Sequence, residues 1–228
     1  MQHLAIIPDG NRRWAKKNKL KSLMGHKKGL DAFEIAIKFC LEKGIWYLSV
    51  YTFSLENFNR SQEEKSYLFD LLLQHCKSKL PEFIKNGIRA RFIGDKSFFP
   101  KNVAPAIEEM EEKTKHLNKL NLNFLFCYGA KIELVHAIKN LAKEVKAGVL
   151  AVDDIDEEKI SSSLWTAGMP DPDLIIRTSG LCRLSNFLLY QAAYSEFMFL
   201  DCYWPEITQA HLQKCFDDFE NVQRNFGK

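Results

Sequence analysis

The chain has 228 residues, 46% of them hydrophobic and 27% charged, and its formal net charge is +3. These values are typical of a globular protein with a sizeable core, exclude an intrinsically disordered chain, and give no support for a nucleic-acid partner. The six cysteines form no CxxC pair and no metal-binding spacing, which predicts reduced thiols in a cytoplasmic protein and no zinc site. We expect neither an export leader nor a membrane span, because no run approaches roughly 18 apolar residues.

The first predicted strand, Leu4 to Ile7, ends in turn residues, and a helix is predicted to follow from Asn11 to Asn18. Between and within them lie a carboxylate (Asp9), a glycine, a helix N-terminus and two guanidiniums. That grouping suits a magnesium-bound polyphosphate. The alternative is an ordinary strand-to-helix turn with Asp9 as a cap and the arginines in solvent.

Residues 12 to 28 contain eight lysines or arginines together with His26, and no acidic residue. This basic segment can be a solvated helix, a funnel for an anionic substrate, or a contact for anionic lipid headgroups. Gly25 and Gly29 predict a break in the chain, after which Leu30 to Lys43 forms an amphipathic helix.

A second strand, Trp46 to Phe53, ends in the polar stretch Ser54 to Arg60. Ser61 then begins a helix that runs to about Leu80, where Pro81 is predicted to interrupt it. The apolar surface of this helix is wider than one sheet contact requires. The helix is therefore either buried between the sheet and a neighbour, or also forms the wall of an apolar tunnel.

Strands and helices continue to alternate in the rest of the chain. The predicted strands are 88 to 93, 120 to 126, 174 to 176 and 197 to 200, and the predicted helices are 101 to 117, 132 to 145, 186 to 193 and 208 to 219. The acidic residues from Asp153 to Asp156 are interpreted as a helix start rather than a metal site. The pattern predicts a single α/β domain over residues 1–228, with a mostly parallel sheet of about six strands flanked by helices.

Ligands of such sheets bind outside the carboxyl ends of the strands. Asp9, Ser54 to Arg60, Arg177 to Ser185 and Glu196 are all predicted at or next to such ends. They supply guanidiniums, a helix N-terminus after Arg183 and two possible magnesium carboxylates, but no Ser-His-Asp set and no Walker loop. Such a site can bind and polarise phosphates, and a reaction with diphosphate as the leaving group needs little more.

Several ordered motifs carry a family resemblance. In chain order they are Pro8-Asp9-Gly10-Asn11-Arg12-Arg13-Trp14-Ala15, Gly25-His26, Tyr51 to Arg60, Ile93-Gly94-Asp95, Tyr128-Gly129, Ile176 to Gly180, Arg183 to Leu189 and Tyr194-Ser195-Glu196. Together they resemble the cis-prenyltransferase family, specifically the bacterial undecaprenyl diphosphate synthases. The resemblance implies repeated condensation of isopentenyl diphosphate onto an allylic diphosphate such as farnesyl diphosphate. It also implies a homodimer, an apolar tunnel in each subunit, a polyprenyl diphosphate product for the cell-wall lipid carrier, and peripheral membrane contact for its release.

The resemblance also implies residue roles. Asp9 and Glu196 would bind Mg²⁺, Asp9 and Asn57 would be catalytic, and Leu120 would form the tunnel floor. The allylic diphosphate would contact Arg13, His26 and the backbone at Gly10 and Asn11. The isopentenyl diphosphate would contact Arg177, Arg183 and Ser185. The full implied substrate-binding set is Gly10, Asn11, Arg12, Arg13, Trp14, His26, Ser54, Leu55, Glu56, Phe58, Arg60, Arg177, Arg183, Leu184 and Ser185.

The sequence departs from the family pattern at Pro8, Ser22, Cys127, Lys131, Leu181 and Asn225. Leu181, which stands where the family has a glutamate, is the best support for a second hypothesis. In that hypothesis the chain is a non-catalytic subunit that binds polyprenyl lipid or a catalytic partner. A third hypothesis, an anion or nucleic-acid binding module that uses the basic segment, leaves the downstream motifs unexplained.

Overall fold

The computed structural model describes residues 1 to 223, so the departure at Asn225 lies outside the described residues. Six parallel strands form one sheet in the order β3-β4-β2-β1-β5-β6. The strands are β1 His3–Ile7, β2 Tyr47–Ser54, β3 Ile88–Ile93, β4 Leu120–Tyr128, β5 Leu174–Thr178 and β6 Glu196–Leu200. The prediction of a single α/β domain with a parallel sheet is confirmed.

Helices cover both faces of this sheet. They are α1 Asn11–Lys17, α2 Ser22–Lys43, α3 Gln62–Asn86, α4 Ala104–Thr114, α5 Ala130–Lys146, α6 Glu157–Ser163 and α7 Gln209–Glu220. A larger apolar core contains buried side chains of α2, α3, α4 and α7, and a smaller one contains Tyr128, Phe187 and Leu188. Because both faces of the sheet are covered, β1 and β5 are buried at every residue. In the described part of the chain, no helix is long and apolar enough to cross a bilayer.

The predicted break at Gly25 and Gly29 is wrong, because α2 runs through both glycines. A Cβ atom on Gly25 would lie 2.0 Å from the main-chain oxygen of Asn11, and one on Gly29 would lie 2.7 Å from Asn11 Oδ1. The glycines therefore allow the α1 segment to pack closely against α2. This contact brings His26 of α2 to the same side of the sheet as the turn after β1.

The predicted interruption at Pro81 is also wrong, since α3 continues to Asn86 and ends at Gly87, which has a φ of 72°. Phe83 follows Pro81 and is 1% exposed in the larger core. Its burial offsets the backbone hydrogen bond that proline cannot donate. The result is one long helix beside α2.

The predicted helix from Asn186 to Ala193 does not form. Ser185, Asn186 and Leu188 have φ angles of 51°, 66° and 41°, which are left-handed and incompatible with an α-helix. The segment is a series of turns in which Phe187 and Leu188 are fully buried. The helix N-terminus predicted after Arg183 is therefore absent within residues 1–223. In contrast, the acidic residues from Asp153 do lead into α6, whose N-cap is Asp156.

Candidate active site

Asp9 lies directly after β1, at the carboxyl edge of the sheet. The neighbouring strand β5 ends in Thr178, whose Oγ1 accepts a hydrogen bond from Asp9 N (2.9 Å) and donates one to Asp9 O (2.7 Å). The two strands are in register, with Ile7 opposite Arg177. The turn after β1 is thereby fixed against β5, and the side chains of Asp9 and Arg177 face one another.

The Asp9 carboxylate forms two ion pairs. Arg177 Nη2 donates to Asp9 Oδ2 (2.7 Å), and Arg13 Nη2, one turn into α1, donates to Asp9 Oδ1 (3.1 Å). Burial by itself would raise the pKa of Asp9, but the two guanidiniums outweigh it and hold the pKa below its usual value. The carboxylate is therefore ionised at neutral pH and sits between two cations.

Arg177 also connects Asp9 to the loop after β5. Its Nη1 donates to Ser185 Oγ (2.8 Å) and to the main-chain oxygen of Arg183. The Arg177 side chain is buried, whereas Arg183 and Ser185 are exposed beside it. The buried guanidinium thus organises a loop whose own polar groups remain open to a ligand.

A second charged cluster surrounds Glu64 in the first turn of α3. Its Oε1 accepts a hydrogen bond from Arg60 Nη1 (3.0 Å) and lies 3.4 Å from His26 Nε2, and its Oε2 lies 4.0 Å from Arg12 Nη1. Burial, aided by the charge of Arg60, lowers the pKa of His26 to about 4, so its imidazole is neutral at neutral pH. Within residues 1–223, His26 Nε2 and Asn11 Oδ1 are buried without a hydrogen-bond partner, which marks them as groups for a ligand or water.

Three adjoining cavities lie at this edge of the sheet. One, the central polar cavity, has a volume of about 550 Å³ and is lined by Asp9, His26, Asn57, Arg60, Arg177 and Ser185. Another, of about 560 Å³, is lined by Gly10, Arg12, Arg13, Lys16, Ser22 and His26. The third, of about 120 Å³, is apolar and lies between the sheet, α2 and α3, with Phe33, Leu71, Leu72, His75 and Phe124 in its lining.

The apolar cavity shares Asn11 and His26 with both polar cavities. A ligand with an anionic head and an apolar tail can therefore place its head among the arginines and its tail beneath α2 and α3. Leu120, the predicted tunnel floor, is buried at the start of β4 and is not among the residues that line this cavity. Buried side chains that do line it include Phe33, His75 and Phe124.

Most of the sequence-predicted site residues come together here. Those that line the polar cavities are Asp9, Gly10, Asn11, Arg12, Arg13, His26, Ser54, Glu56, Asn57, Arg60, Arg177 and Ser185. Phe58 packs in an aromatic cluster with Phe53, at a ring-centroid distance of 5.2 Å. Trp14 is half-buried on α1, Leu55 packs against the larger core, and Leu184 packs against the smaller one.

Glu196 is not brought to this site within one chain. It is the first residue of β6 and pairs with Leu174, the first residue of β5. Asp9 and Arg177 lie at the opposite, carboxyl end of the sheet. The expectation that Glu196 lies at a carboxyl end of a strand is therefore wrong, because this residue begins its strand instead of following one.

Several residues of the site were not among the predicted ones, and three of them make its contacts. Ser179 Oγ accepts a hydrogen bond from Arg13 Nη2 (2.5 Å), Glu64 holds the second charged cluster, and Asn186 lines the central polar cavity. The spacing of Glu64 from Ser61 indicates only a helix cap, in which Ser61 Oγ accepts a hydrogen bond from Glu64 N (3.3 Å). Asn186 carries no local signal, because its position depends on a left-handed backbone that the sequence does not predict.

Comparison with known proteins decides the family. Residues 7–227 match the family model described as "Putative undecaprenyl diphosphate synthase". The chain belongs to this prenyltransferase family. It is 44% identical over 226 residues to an isoprenyl transferase of Clostridium perfringens, covering 99% of this chain and 89% of that protein. It is also 44% identical over 229 residues to an isoprenyl transferase of Streptococcus thermophilus, covering 99% of this chain and 92% of that protein.

Two solved structures of prenyltransferases have the same fold. Lavandulyl diphosphate synthase from Lavandula x intermedia, in complex with dimethylallyl diphosphate, superposes with a TM-score of 0.96 at 32% identity, covering 100% of this chain and 98% of that one. A probable undecaprenyl diphosphate synthase from Campylobacter jejuni gives a TM-score of 0.82 at 33% identity, covering 100% and 99%. The described residues 1–223 of this prenyltransferase thus have the family fold.

Proposed function

We propose that the protein is a cis-prenyltransferase that condenses isopentenyl diphosphate repeatedly onto an allylic diphosphate, farnesyl diphosphate. Its product would be a long polyprenyl diphosphate, undecaprenyl diphosphate, for the cell-wall lipid carrier. The observation that carries the proposal is the charged cluster of Asp9, Arg13 and Arg177, which adjoins an apolar cavity. Membership of the family and the names of its relatives support the same chemistry.

The two diphosphates would occupy different parts of the site. The allylic diphosphate belongs near Arg13, His26 and Asn11, because His26 and Asn11 also line the apolar cavity that its tail would enter. The neutral His26 can donate one hydrogen bond there without adding charge. The isopentenyl diphosphate belongs near Arg183 and Ser185, where guanidinium and hydroxyl groups are exposed.

The reaction breaks the carbon–oxygen bond of the allylic diphosphate, forms a carbon–carbon bond to isopentenyl diphosphate and releases one proton. Arginines beside the leaving diphosphate stabilise the charge that develops on it. Asn57 lines the central cavity, and its Oδ1 accepts a hydrogen bond from Ser54 N (3.2 Å). An amide is a poor base, so Asn57 would orient the substrate while a diphosphate oxygen takes the proton.

Magnesium fits this site through a single protein carboxylate. Mg²⁺ is commonly bound by one or two carboxylates together with substrate phosphate oxygens. Asp9 is ionised and lines the central cavity, so it would hold the ion jointly with a diphosphate. When bound, the ion would neutralise charge on the leaving group.

We further propose a cytoplasmic homodimer. β6 is an edge strand, and its stacked Phe197 and Phe199 are 40% and 38% exposed. An exposed apolar edge favours burial against a second copy. Glu196 begins this same strand, beside that surface and away from Asp9 of its own chain.

An incorporation assay tests the proposed function. Purified protein with Mg²⁺, farnesyl diphosphate and labelled isopentenyl diphosphate is expected to form long cis-polyprenyl diphosphate. Asp9→Ala should lower kcat by roughly 10²–10³-fold, the loss typical of removing one electrostatic stabiliser. The matched control is Asp31→Ala, which alters an exposed carboxylate paired with Lys28 on α2 and should leave turnover unchanged.

Lack of turnover by a folded wild-type protein would overturn the proposal. Binding of polyprenyl lipid without turnover would favour the non-catalytic subunit instead. Circular dichroism of each variant separates loss of chemistry from loss of fold.

A further inference from the structure

Asn186, in the loop after β5, contacts two segments that follow the neighbouring strands β2 and β4. Its Nδ2 donates to Glu56 Oε1 (2.8 Å), in the turn after β2. Its Oδ1 accepts from Lys131 N (2.9 Å) and its main-chain oxygen from Ala130 N (2.9 Å), both in the first turn of α5 after β4. One side chain therefore joins both walls of the central polar cavity, which Glu56 and Asn186 also line.

The glycine before α5 makes room for this side chain. A Cβ atom on Gly129 would lie 2.7 Å from Asn186 Nδ2, so the glycine before α5 allows the amide to reach across. From this position the short Asn186 side chain contacts Glu56 and the start of α5 at the same time.

The backbone at this point is held in an unfavourable conformation. Ser185 and Asn186 have φ angles of 51° and 66°, a left-handed conformation that a non-glycine residue rarely adopts unless its surroundings hold it. Asparagine tolerates this region better than most residues. The conformation turns Ser185 Oγ toward Arg177 Nη1. The contacts of Asn186, and the Tyr51 hydroxyl that donates to Ser185 O (3.4 Å), support it.

We propose that Asn186 is a positioning residue that sets the separation between the two substrates. It fixes the loop carrying Arg183 and Ser185 relative to Glu56, which directly precedes Asn57. The inference rests on the proposed function, since it assigns the loop to isopentenyl diphosphate and the Asn57 segment to the condensation step. Asn186 touches no reacting atom in this role and acts through its neighbours.

A reversed hydrogen bond tests the inference. Asn186→Asp keeps the acceptor for Lys131 N, tolerates the left-handed backbone and suits the N-terminus of α5, so the variant should fold. It loses the donor to Glu56 and faces it with a second carboxylate. We expect KM for isopentenyl diphosphate to rise about 10-fold, with a much smaller change in KM for farnesyl diphosphate.

Glu56→Gln combined with Asn186→Asp restores the bond with donor and acceptor exchanged. If the two substitutions acted independently, the relative kcat/KM of the double variant would equal the product of the relative kcat/KM values of the two single variants. We expect the measured value to exceed that product by about 10-fold, whatever Glu56→Gln does alone. Asn186→Gly, which retains the left-handed backbone but removes the amide, should raise the same KM without a large change in melting temperature. Wild-type kinetics in Asn186→Asp, or purely additive effects in the double variant, would overturn the inference.

The same variants separate this inference from the proposed function. Calorimetric titration with inorganic diphosphate measures the affinity of the loop for a diphosphate and does not require turnover. If the wild type makes no product, the proposed function fails. The positioning role then stands only if Asn186→Asp weakens diphosphate binding and the double variant recovers it, and it falls if affinity is unchanged.

Discussion

Glu64 and Glu133 are both buried carboxylates, but they have different kinds of donors. Glu133 is 1% exposed and accepts hydrogen bonds from Tyr128 Oη (2.5 Å), from Gln191 Nε2 (3.1 Å), and from the main-chain nitrogen and the hydroxyl of Thr166 (3.1 Å each). All of these donors are neutral. Burial, reinforced by Glu133, raises the pKa of Tyr128 well above its usual value and keeps the phenol protonated as a donor.

Glu64 instead faces Arg60, Arg12 and His26 beside the polar cavities. Neutral donors saturate a carboxylate and hold α5 to the loops around it, whereas cationic donors remain able to attract an anion. The comparison shows that the same residue type fixes the frame at Glu133 and organises charge for a ligand at Glu64. Substitution at the two positions should therefore affect different measurements.

The largest expected effect is on stability. Glu133→Ala leaves the hydroxyl of Tyr128 and two donors of Thr166 buried without their acceptor, and leaves the amide of Gln191 with Thr166 Oγ1 as its only acceptor. We expect the free energy of unfolding to fall by about 3 kcal/mol or more, since each unsatisfied buried group costs roughly 1–3 kcal/mol. Urea denaturation measures it. Glu144→Ala, on the exposed face of the same helix, is the matched control and should change stability by less than about 1 kcal/mol. Equal denaturation midpoints for the two variants would contradict the structural role.

The next effect is on binding. Glu64→Ala should raise KM for the allylic diphosphate about 10-fold, because Arg60 loses the group that aligns it. Its unfolding free energy should fall by less than that of Glu133→Ala, because Arg12 and Arg60 border the polar cavities and can be solvated there once Glu64 is removed. Glu63→Ala, one residue earlier and exposed, should leave both quantities unchanged. A stability loss in Glu64→Ala as large as that of Glu133→Ala, with normal KM, would remove the distinction between the two sites.

The smallest effect concerns pH and sharpens the description of the Glu64 cluster. The pKa of His26 is about 4 in the folded protein and 6.5 in the unfolded chain, so between these values the unfolded chain binds more protons. Stability is therefore complete above pH 6.5 and is lost as the pH falls toward 4. Between pH 6.5 and 5.5 the loss from His26 should be about 1 kcal/mol. His26→Asn should reduce the pH dependence by that amount; an unchanged dependence would show that His26 titrates normally.

The sequence predicts the sheet and its reactive edge well. β1 and β5 contain the apolar runs Leu4 to Ile7 and Leu174 to Ile176, which end at Pro8 and at Arg177, so both the strands and the points near which they stop can be derived from local chemistry. Parallel order then brings Asp9 and Arg177 to one edge. The ends of the strands follow from local chemistry, and the general rule that parallel strands share one carboxyl edge supplies the rest.

The missed features all depend on contacts between distant residues. The sequence Asn186 to Ala193 has helical propensity, but burial of Phe187 and Leu188 and the hydrogen bonds of Asn186 override it. The glycines of α2 look like helix breakers until Asn11 is known to pack against them. Glu196 is close in sequence to other site residues, yet the register of β6 moves it to the opposite edge.

The position of β1 between β2 and β5 has a consequence for biosynthesis. The bond between Asp9 and Arg177 joins residues 168 apart in sequence, so the nascent chain exposes the carboxylate long before the ribosome has made its guanidinium partner. Partly translated chains can pair β1 with β2 but cannot assemble the anion site, and non-local pairing of this kind forms late and slowly. A chain truncated before β5 therefore carries Asp9 without Arg177, and its carboxylate lacks one of its two guanidinium partners.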